Sequence, residues 1–283
     1  MRATNGMPVP KVHIKRLLPE LVALILVGCQ QAPSKAPMPE QPSMMAVTPV
    51  NFMAADGLTV SGRYYRADSP KALILLFHQA GSSKAEYATI APRLVDMGYS
   101  ALAIDQRSGG SMFGMNQTAA RVTTPVTYGD VLYDLDAALS WSRTMHLPVI
   151  LWGSSYSSAL VLELAAKHPN DIAAVMAFSP SEYLGPGKPV QAAATKVTVP
   201  VFVTVASDPA ELAQAKPIFA AVKSAGKKLY IPSVGVHGSS TLITKRNERG
   251  VVANWAAVTD FLKDAINHSS QMNVTLGHTP KAP

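Results

Sequence analysis

Apolar and polar positions follow two regular patterns along this chain. Apolar runs of five to seven residues recur from residue 72 onward, and they have the length of buried strands. Between most of these runs, apolar residues recur every three or four positions, which is typical of amphipathic helices. Strands that alternate with helices form a mainly parallel sheet covered on both faces. The predicted strands are 72–77, 100–104, 148–152, 172–178, 199–205 and 228–232, and the predicted helices are 86–98, 128–145, 158–168, 209–222 and 251–266.

A hairpin precedes these alternating elements. The segments 47–54 and 58–67 flank Asp56-Gly57, a dipeptide that favours a tight turn between two strands. With 283 residues and 48% hydrophobic content, the chain can bury one substantial core. We therefore predict a single α/β domain over residues 47–267, followed by a flexible tail over 268–283.

The N-terminal segment predicts export. A basic stretch over 11–16 precedes an apolar run over 21–28, which is far shorter than the roughly 20 residues that cross a bilayer. Residues 1–28 therefore have the form of a secretory signal peptide. Cys29, the only cysteine of the chain, cannot form an internal disulfide. An ordinary exported protein with a chance cysteine is one interpretation of this segment.

The stretch "LVGC", which ends at Cys29, resembles the lipobox of bacterial lipoproteins. The resemblance implies that Cys29 carries a lipid and that the protein lies in the cell envelope, outside the cytoplasm. Because Gln30 rather than Asp follows the cysteine, it also implies the outer membrane where the cell has one. The segment 29–46, rich in Pro and Gln, then forms a tether between the lipid and the domain.

Charge and composition exclude several classes of function. The formal net charge is +7, but residues 1–28 carry +3 of it and no basic block follows. A nucleic-acid partner is therefore not expected. No dinucleotide fingerprint and no cluster of metal ligands stands in the sequence, so we expect no cofactor and no metal.

A candidate nucleophile stands where a buried strand meets a helix, in "VILWGSSYSSAL". A serine on such a sharp turn is lifted clear of the sheet and can attack a carbonyl group. The turn requires small residues two positions before and two positions after the serine. Ser155 meets this requirement through Gly153 and Ser157, whereas Ser154 has Trp152 two positions before it. Ser155 is the predicted nucleophile.

This turn and the order of the elements resemble the α/β-hydrolase fold, in particular its small esterase-like members related to dienelactone hydrolases. The resemblance covers residues 47–267 and departs at Ser157, where glycine is usual. It implies a mainly parallel sheet with helices on both faces and little or no lid, since 179–197 is too short for a cap domain. In the loop after the strand 100–104, it implies structural roles for Asp105 and Arg107.

The resemblance also implies a base and an acid for Ser155. It places the catalytic histidine after the last strand, where His237 stands in "SVGVHGSS", and the acid after the strand 199–205, where Asp208 stands. The chain order Ser155, Asp208, His237 agrees with that of the family. These three residues are the predicted triad.

Asp208 has a second interpretation. Pro209 follows it at the start of a predicted helix, and Asp before Pro is a common way to begin a helix. If Asp208 only caps this helix, Glu211 or Glu182 would be the acid.

Two backbone N–H groups are needed where negative charge develops on the substrate. Tyr156, directly after the nucleophile, supplies the first. The loop "HQAGSS" resembles the family's His-Gly-X loop with Gln79 in the glycine position, which implies Ala80 as the second donor and Gln79 as a less favoured one. His78 in this loop is expected to be structural.

These residues predict a serine hydrolase that cleaves an ester or related acyl bond of a small-molecule substrate through an acyl-enzyme. A peptidase or a lyase-like enzyme with the same triad is one alternative. A non-catalytic envelope lipoprotein on a hydrolase scaffold is another. The oligomeric state is not determined by the sequence.

Overall fold

Within the part of the chain that the structure describes, eight strands form one sheet at the centre of the domain. The structure is a computed structural model that describes residues 47–276. The order across the sheet is β1-β2-β4-β3-β5-β6-β7-β8, with β1–β2 and β2–β4 antiparallel and the other pairs parallel. The strands are β1 (Val47–Met53), β2 (Thr59–Tyr65), β3 (Leu73–Phe77), β4 (Ser100–Ile104), β5 (Val149–Ser154), β6 (Ala174–Phe178), β7 (Val201–Thr204) and β8 (Lys228–Tyr230).

Helices cover both faces of this sheet. They are α1 (Ile90–Asp96), α2 (Leu132–Ser142), α3 (Tyr156–Lys167), α4 (Pro189–Ala194), α5 (Pro209–Ala221) and α6 (Val251–Leu276). One core lies between the sheet and α1 and α6, and a second lies between the sheet and α2 to α5. No helix within residues 47–276 is both long enough and apolar enough to cross a membrane.

The parallel strands are buried on both faces, which explains why they appear in the sequence as continuous apolar runs. Every residue of β3 to β7 is buried. In β3, Leu73, Leu75 and Phe77 face the helices α2 to α5, while Ile74 and Leu76 face α1 and α6. The predicted α/β-hydrolase fold, with its hairpin and its mainly parallel sheet, is confirmed.

The structure adds to the predicted elements at two places. The short helix α4 lies in the segment 179–197, and its first two free N–H groups, those of Val190 and Gln191, donate to the carboxylate of Glu182. The final helix continues to Leu276, although the sequence predicted a flexible tail from residue 268. The predicted signal peptide, the tether and Cys29 lie outside the described residues.

Candidate active site

Ser155 stands at the joint between β5 and α3 in a strained backbone conformation. Its φ is +57° and its ψ is −124°, a region that residues other than glycine rarely adopt. The N–H of Ser155 donates to the carbonyl of Phe178 at 2.8 Å, and the Ser155 carbonyl accepts from the Ser158 N–H at 2.8 Å. Hydrogen bonds of its N–H and its carbonyl group thus stabilise the strained conformation of Ser155.

Close packing explains the small residues around this turn. A Cβ at Gly153 would lie 2.2 Å from the carbonyl oxygen of Ser157, so only glycine fits there. Ser157, which replaces the usual glycine, is buried, and its hydroxyl donates to the His78 carbonyl at 2.6 Å. The same hydroxyl accepts from the Gln106 amide at 2.8 Å. The extra hydroxyl therefore links the turn to two neighbouring loops.

His237 connects Ser155 to a carboxylate. Its Nε2 lies 2.8 Å from the Ser155 Oγ, and its Nδ1 lies 2.6 Å from Oε1 of Glu211. The His237 side chain is 42% exposed, so the site opens to solvent, as the absence of a cap domain predicts. The structure thus brings the predicted nucleophile and the predicted base together.

The predicted position of Asp208 beside His237 is wrong. Asp208 is the N-cap of α5, and its side chain accepts from the Ala210 N–H at 2.8 Å. Its carboxylate is exposed and points to its own helix. Glu211, one turn further along α5, takes the position beside His237, which was the alternative that the sequence left open. Glu182, the other alternative, instead binds the first turn of α4.

Glu211 is held as an anion. Its second oxygen, Oε2, accepts from the Ser179 hydroxyl at 2.7 Å and from the Ala206 N–H at 2.9 Å. Burial opposes ionisation, but the hydrogen bonds from His237, Ala206 and Ser179 outweigh it and lower the pKa of Glu211 to about 2. The hydrogen bond to Glu211 in turn raises the pKa of His237, against a smaller opposing effect of burial.

Ser179 is a positioning residue that the sequence analysis missed. It follows β6 with a φ of +58°, and its hydroxyl donates to Glu211 and accepts from the Gly238 N–H at 3.0 Å. This single side chain therefore orients both Glu211 and the residue after His237. A serine directly after a buried strand, opposite the nucleophile turn, was the only signal in the sequence.

The loop that carries His237 is fixed on its other side by two buried asparagines. The Nδ2 of Asn247 donates to the carbonyls of Val234 and Thr241 at 3.2 and 3.0 Å. Asn254 donates to the same carbonyl of Val234 at 3.1 Å and to the Thr241 hydroxyl at 2.7 Å. These bonds close the loop that carries His237 on itself.

The two predicted oxyanion donors are available. Tyr156 is the first residue of α3, and its N–H, like that of Ala80, has no hydrogen-bond partner among residues 47–276. The N–H of Gln79 instead donates to Oε2 of Glu86 at 3.0 Å, which excludes Gln79 as the second donor.

His78 is buried and orients this loop through a bond from Nδ1 to the Gln79 carbonyl at 2.8 Å. Burial lowers the pKa of His78 to about 4, so its ring is neutral.

Ser154 and Glu86 form a buried support behind the nucleophile. The Ser154 hydroxyl donates to Oε1 of Glu86 at 2.7 Å and accepts from the Ser239 N–H at 2.9 Å. Ser154 thereby joins the nucleophile turn to the loop after His237, and Glu86 joins that turn to the loop that carries Ala80 through the Gln79 N–H. Burial raises the pKa of Glu86, although the hydrogen bonds from the Gln79 N–H and the Ser154 hydroxyl oppose the rise. Glu86 was missed because its helical spacing gives no sign that it points inward.

Asp105 and Arg107 have the structural roles that the sequence predicted. Asp105 is fully buried and pairs with Lys84. Arg107 binds Asp134 at 2.8 Å and also contacts Asp56 in the hairpin turn. Neither residue contacts the Ser155–His237–Glu211 group.

A cavity of about 460 Å³ opens beside His237. Its described walls combine apolar side chains with two cations, and none of the described lining residues carries a carboxylate. The lining residues are Gln79, Met112, Val236, His237, Ser240, Lys245 and Arg246.

Comparisons with known proteins identify the family and the fold of this chain. Residues 68–215 match the model of the family described as serine aminopeptidase, S33, a range that includes Ser155 and Glu211. The chain therefore belongs to this hydrolase family. No curated protein matches the sequence significantly.

Solved structures with the same fold are similar over most of the chain. A dienelactone hydrolase from Anabaena variabilis ATCC 29413 is 18% identical, with a TM-score of 0.62 over 78% of this chain and 98% of that one. The esterase Pf2001 from Pyrococcus furiosus is 18% identical, with a TM-score of 0.60 over 78% and 93%. Est1E from Butyrivibrio proteoclasticus, with ferulic acid bound, is 16% identical, with a TM-score of 0.59 over 76% and 99%. The molecule is thus an α/β-hydrolase in fold.

Proposed function

We propose that this protein is a serine hydrolase that cleaves carboxylic esters through an acyl-enzyme. The proposal rests on one observation: the His237 ring forms a hydrogen bond to Ser155 through Nε2 and another to Glu211 through Nδ1. The proposed triad is therefore Ser155, His237 and Glu211, with glutamate in place of the aspartate expected from the sequence.

The chemistry follows from the charge that each group carries. Ionised Glu211 accepts the Nδ1 proton of His237, so the lone pair of Nε2 faces the Ser155 hydroxyl. As Ser155 attacks the ester carbonyl, Nε2 takes its proton, and Glu211 stabilises the imidazolium that forms. His237 then gives this proton to the leaving alkoxide. Water, activated by the same ring, hydrolyses the acyl-enzyme and regenerates the serine.

The developing oxyanion requires donors that are already in position. The free N–H groups of Tyr156 and Ala80 supply them, the first at the positive end of α3. Because His78 and Glu86 fix the loop around Ala80, this donor needs little reorganisation during the reaction.

The lining of the cavity favours an ester over an N-terminal peptide bond. An aminopeptidase must bind the positively charged α-amino group of its substrate, which calls for a carboxylate near the nucleophile. The described lining instead contains Lys245 and Arg246 and no acidic residue, and Glu211 is already occupied by His237. The similar solved structures named as esterases and a dienelactone hydrolase also support ester chemistry.

A non-catalytic scaffold is less consistent with the site. A binding protein would have no need for the strained backbone of Ser155 or for an ionised Glu211 at its histidine. Strain of this kind clusters at functional sites, active sites among them.

Fluorophosphonate labelling followed by mass spectrometry tests the proposal. We expect the label on Ser155 and on no other residue, and hydrolysis of 4-nitrophenyl acetate by the wild type. Ser155→Ala should lose both, whereas Ser154→Ala, the matched control, should retain both. A labelled Ser154, or ester turnover that survives Ser155→Ala, would contradict the mechanism.

We also propose that Cys29 carries a lipid and anchors the protein outside the cytoplasm. The support is the sequence "LVGC" at the end of a short apolar run. Radiolabelled palmitate should enter the wild type in a bacterial host and should not enter Cys29→Ser. A mature wild-type protein that begins at another residue and takes up no palmitate would refute the anchor.

A further inference from the structure

We propose that the substrate of this site is an ester that carries an anionic group, which Lys245 and Arg246 recognise. The inference rests on the proposed ester hydrolysis and names the class of ester. It starts from the cavity beside His237, whose described lining has two cations and no anion to neutralise them.

Both cations are free to bind a ligand. Neither Lys245 nor Arg246 forms an ion pair with any residue between 47 and 276, although Lys84, Arg107, Arg143 and Lys167 all do. Both side chains are exposed and border the cavity. An unpaired guanidinium next to an unpaired ammonium provides the donors that a carboxylate or a phosphate accepts.

Arg246 is held in place. Its guanidinium lies over the ring of Phe113 at 4.5 Å from the ring centroid, on the loop that also contributes Met112 to the cavity. Stacking of this kind restricts the side chain while leaving the edge of the guanidinium free for an anion.

Lys245, Arg246 and His237 belong to one segment of the chain, which internal hydrogen bonds hold in place. The Arg246 N–H donates to the Ile243 carbonyl at 2.8 Å, and the adjacent Asn247 binds the carbonyls of Val234 and Thr241 on either side of His237. Because these bonds hold the backbone of the segment that carries His237, Lys245 and Arg246, an anion bound by the cations shares the cavity with His237 and orients the rest of the ester. Orientation of this kind increases the rate of attack.

The apolar side chains of the cavity indicate a second feature of the substrate, a hydrocarbon segment. Met112 and Val236 line it together with the cations. A short hydrocarbon segment between the ester and the anionic group would contact these side chains. Substrates with a net positive charge should be disfavoured, since the local potential is positive.

Two matched pairs of esters test the inference. Mono-4-nitrophenyl glutarate and 4-nitrophenyl valerate differ in a carboxylate on the acyl side, and 4-acetoxybenzoate and its methyl ester differ in a carboxylate on the alcohol side. In at least one pair, we expect the wild type to prefer the anion by about tenfold in kcat/KM, which corresponds to about 1.4 kcal/mol. The pair that shows the preference identifies the side of the ester that faces the cations.

The double substitution Lys245→Gln with Arg246→Gln should remove this preference. Lys223→Gln with Lys228→Gln, which removes the same charge at and just before the amino end of β8, should leave it unchanged. The preference should also weaken as salt rises, because screening acts on exposed charges. No anionic preference in either pair, or a preference that survives the first double substitution, would overturn the inference. If the wild type hydrolyses none of the four esters, the proposed ester hydrolysis itself is refuted.

Discussion

Replacement of Glu211 by glutamine tests which carboxylate serves His237. In the wild type, Oε2 of Glu211 accepts from the Ala206 N–H, and Oε1 accepts from Nδ1 of His237. A backbone N–H can only donate, so the single oxygen of glutamine must take the position of Oε2. The amide NH2 group then faces Nδ1, which must be unprotonated to accept its hydrogen. The ring proton therefore moves to Nε2.

This tautomer cannot act as the base, because the proton on Nε2 faces the Ser155 hydroxyl. The substitution also removes the negative charge that stabilises the imidazolium. In serine proteases, the equivalent carboxylate-to-amide change lowers kcat by about 10⁴-fold. The corresponding loss of transition-state stabilisation is about 5 kcal/mol. We expect a decrease of this size in Glu211→Gln.

The assay is the initial rate of 4-nitrophenyl acetate hydrolysis at saturating substrate and neutral pH, with the melting temperature as a measure of folding. Asp208→Asn is the matched control, because Asp208 caps α5 and asparagine caps about equally well. It should retain near wild-type kcat and stability. The reasoning is refuted if Glu211→Gln keeps more than about a tenth of the wild-type kcat, or if Asp208→Asn loses activity while its fold is intact.

Three further predictions follow from the same contacts. Ser154→Ala should leave the Ser239 N–H and the Glu86 carboxylate without a shared partner, and urea unfolding should show a loss of about 1–3 kcal/mol; an unchanged free energy of unfolding would contradict this. His237 must be neutral to accept a proton and its pKa is raised, so kcat/KM should rise with pH through a pKa above 6.5, and a midpoint below 6.5 would count against the ion pair. Gly238→Ala should reduce ester turnover and lower the melting temperature. Gly238 has a φ of +62°, and a Cβ at this position would lie 2.5 Å from the Ser154 Oγ. Wild-type turnover and melting temperature in this variant would show that the loop after His237 can shift freely.

Features that depend on local pattern were predictable from the sequence. The buried strands appear as apolar runs, since parallel strands covered on both faces have no polar side. Ser155 was identified because the sharp turn admits only small residues around it, and a Cβ at Gly153 would indeed collide with Ser157. His237 was predicted as the base from the order of elements in the resembling family, which the fold preserves, and it lies beside Ser155 in the structure.

Features that join distant segments were not predictable. Ser179 and Glu86 support the site through contacts with residues far away along the chain. Lys245 and Arg246 line the cavity only because the loop after His237 folds back beside Met112. In the sequence, each of these residues is an ordinary polar or charged residue with no distinctive spacing.

The choice between Asp208 and Glu211 shows what could not be predicted from the sequence. The sequence by itself favoured Asp208, after β7, and left Glu211 and Glu182 open as alternatives. The carboxylate of Asp208 is occupied by the N–H of its own helix, whereas Glu211, one turn later, points toward β6 and the loop after β8. Only the path of α5 relative to that loop decides which carboxylate reaches His237, because the two segments meet through tertiary packing and not through the local pattern of the chain.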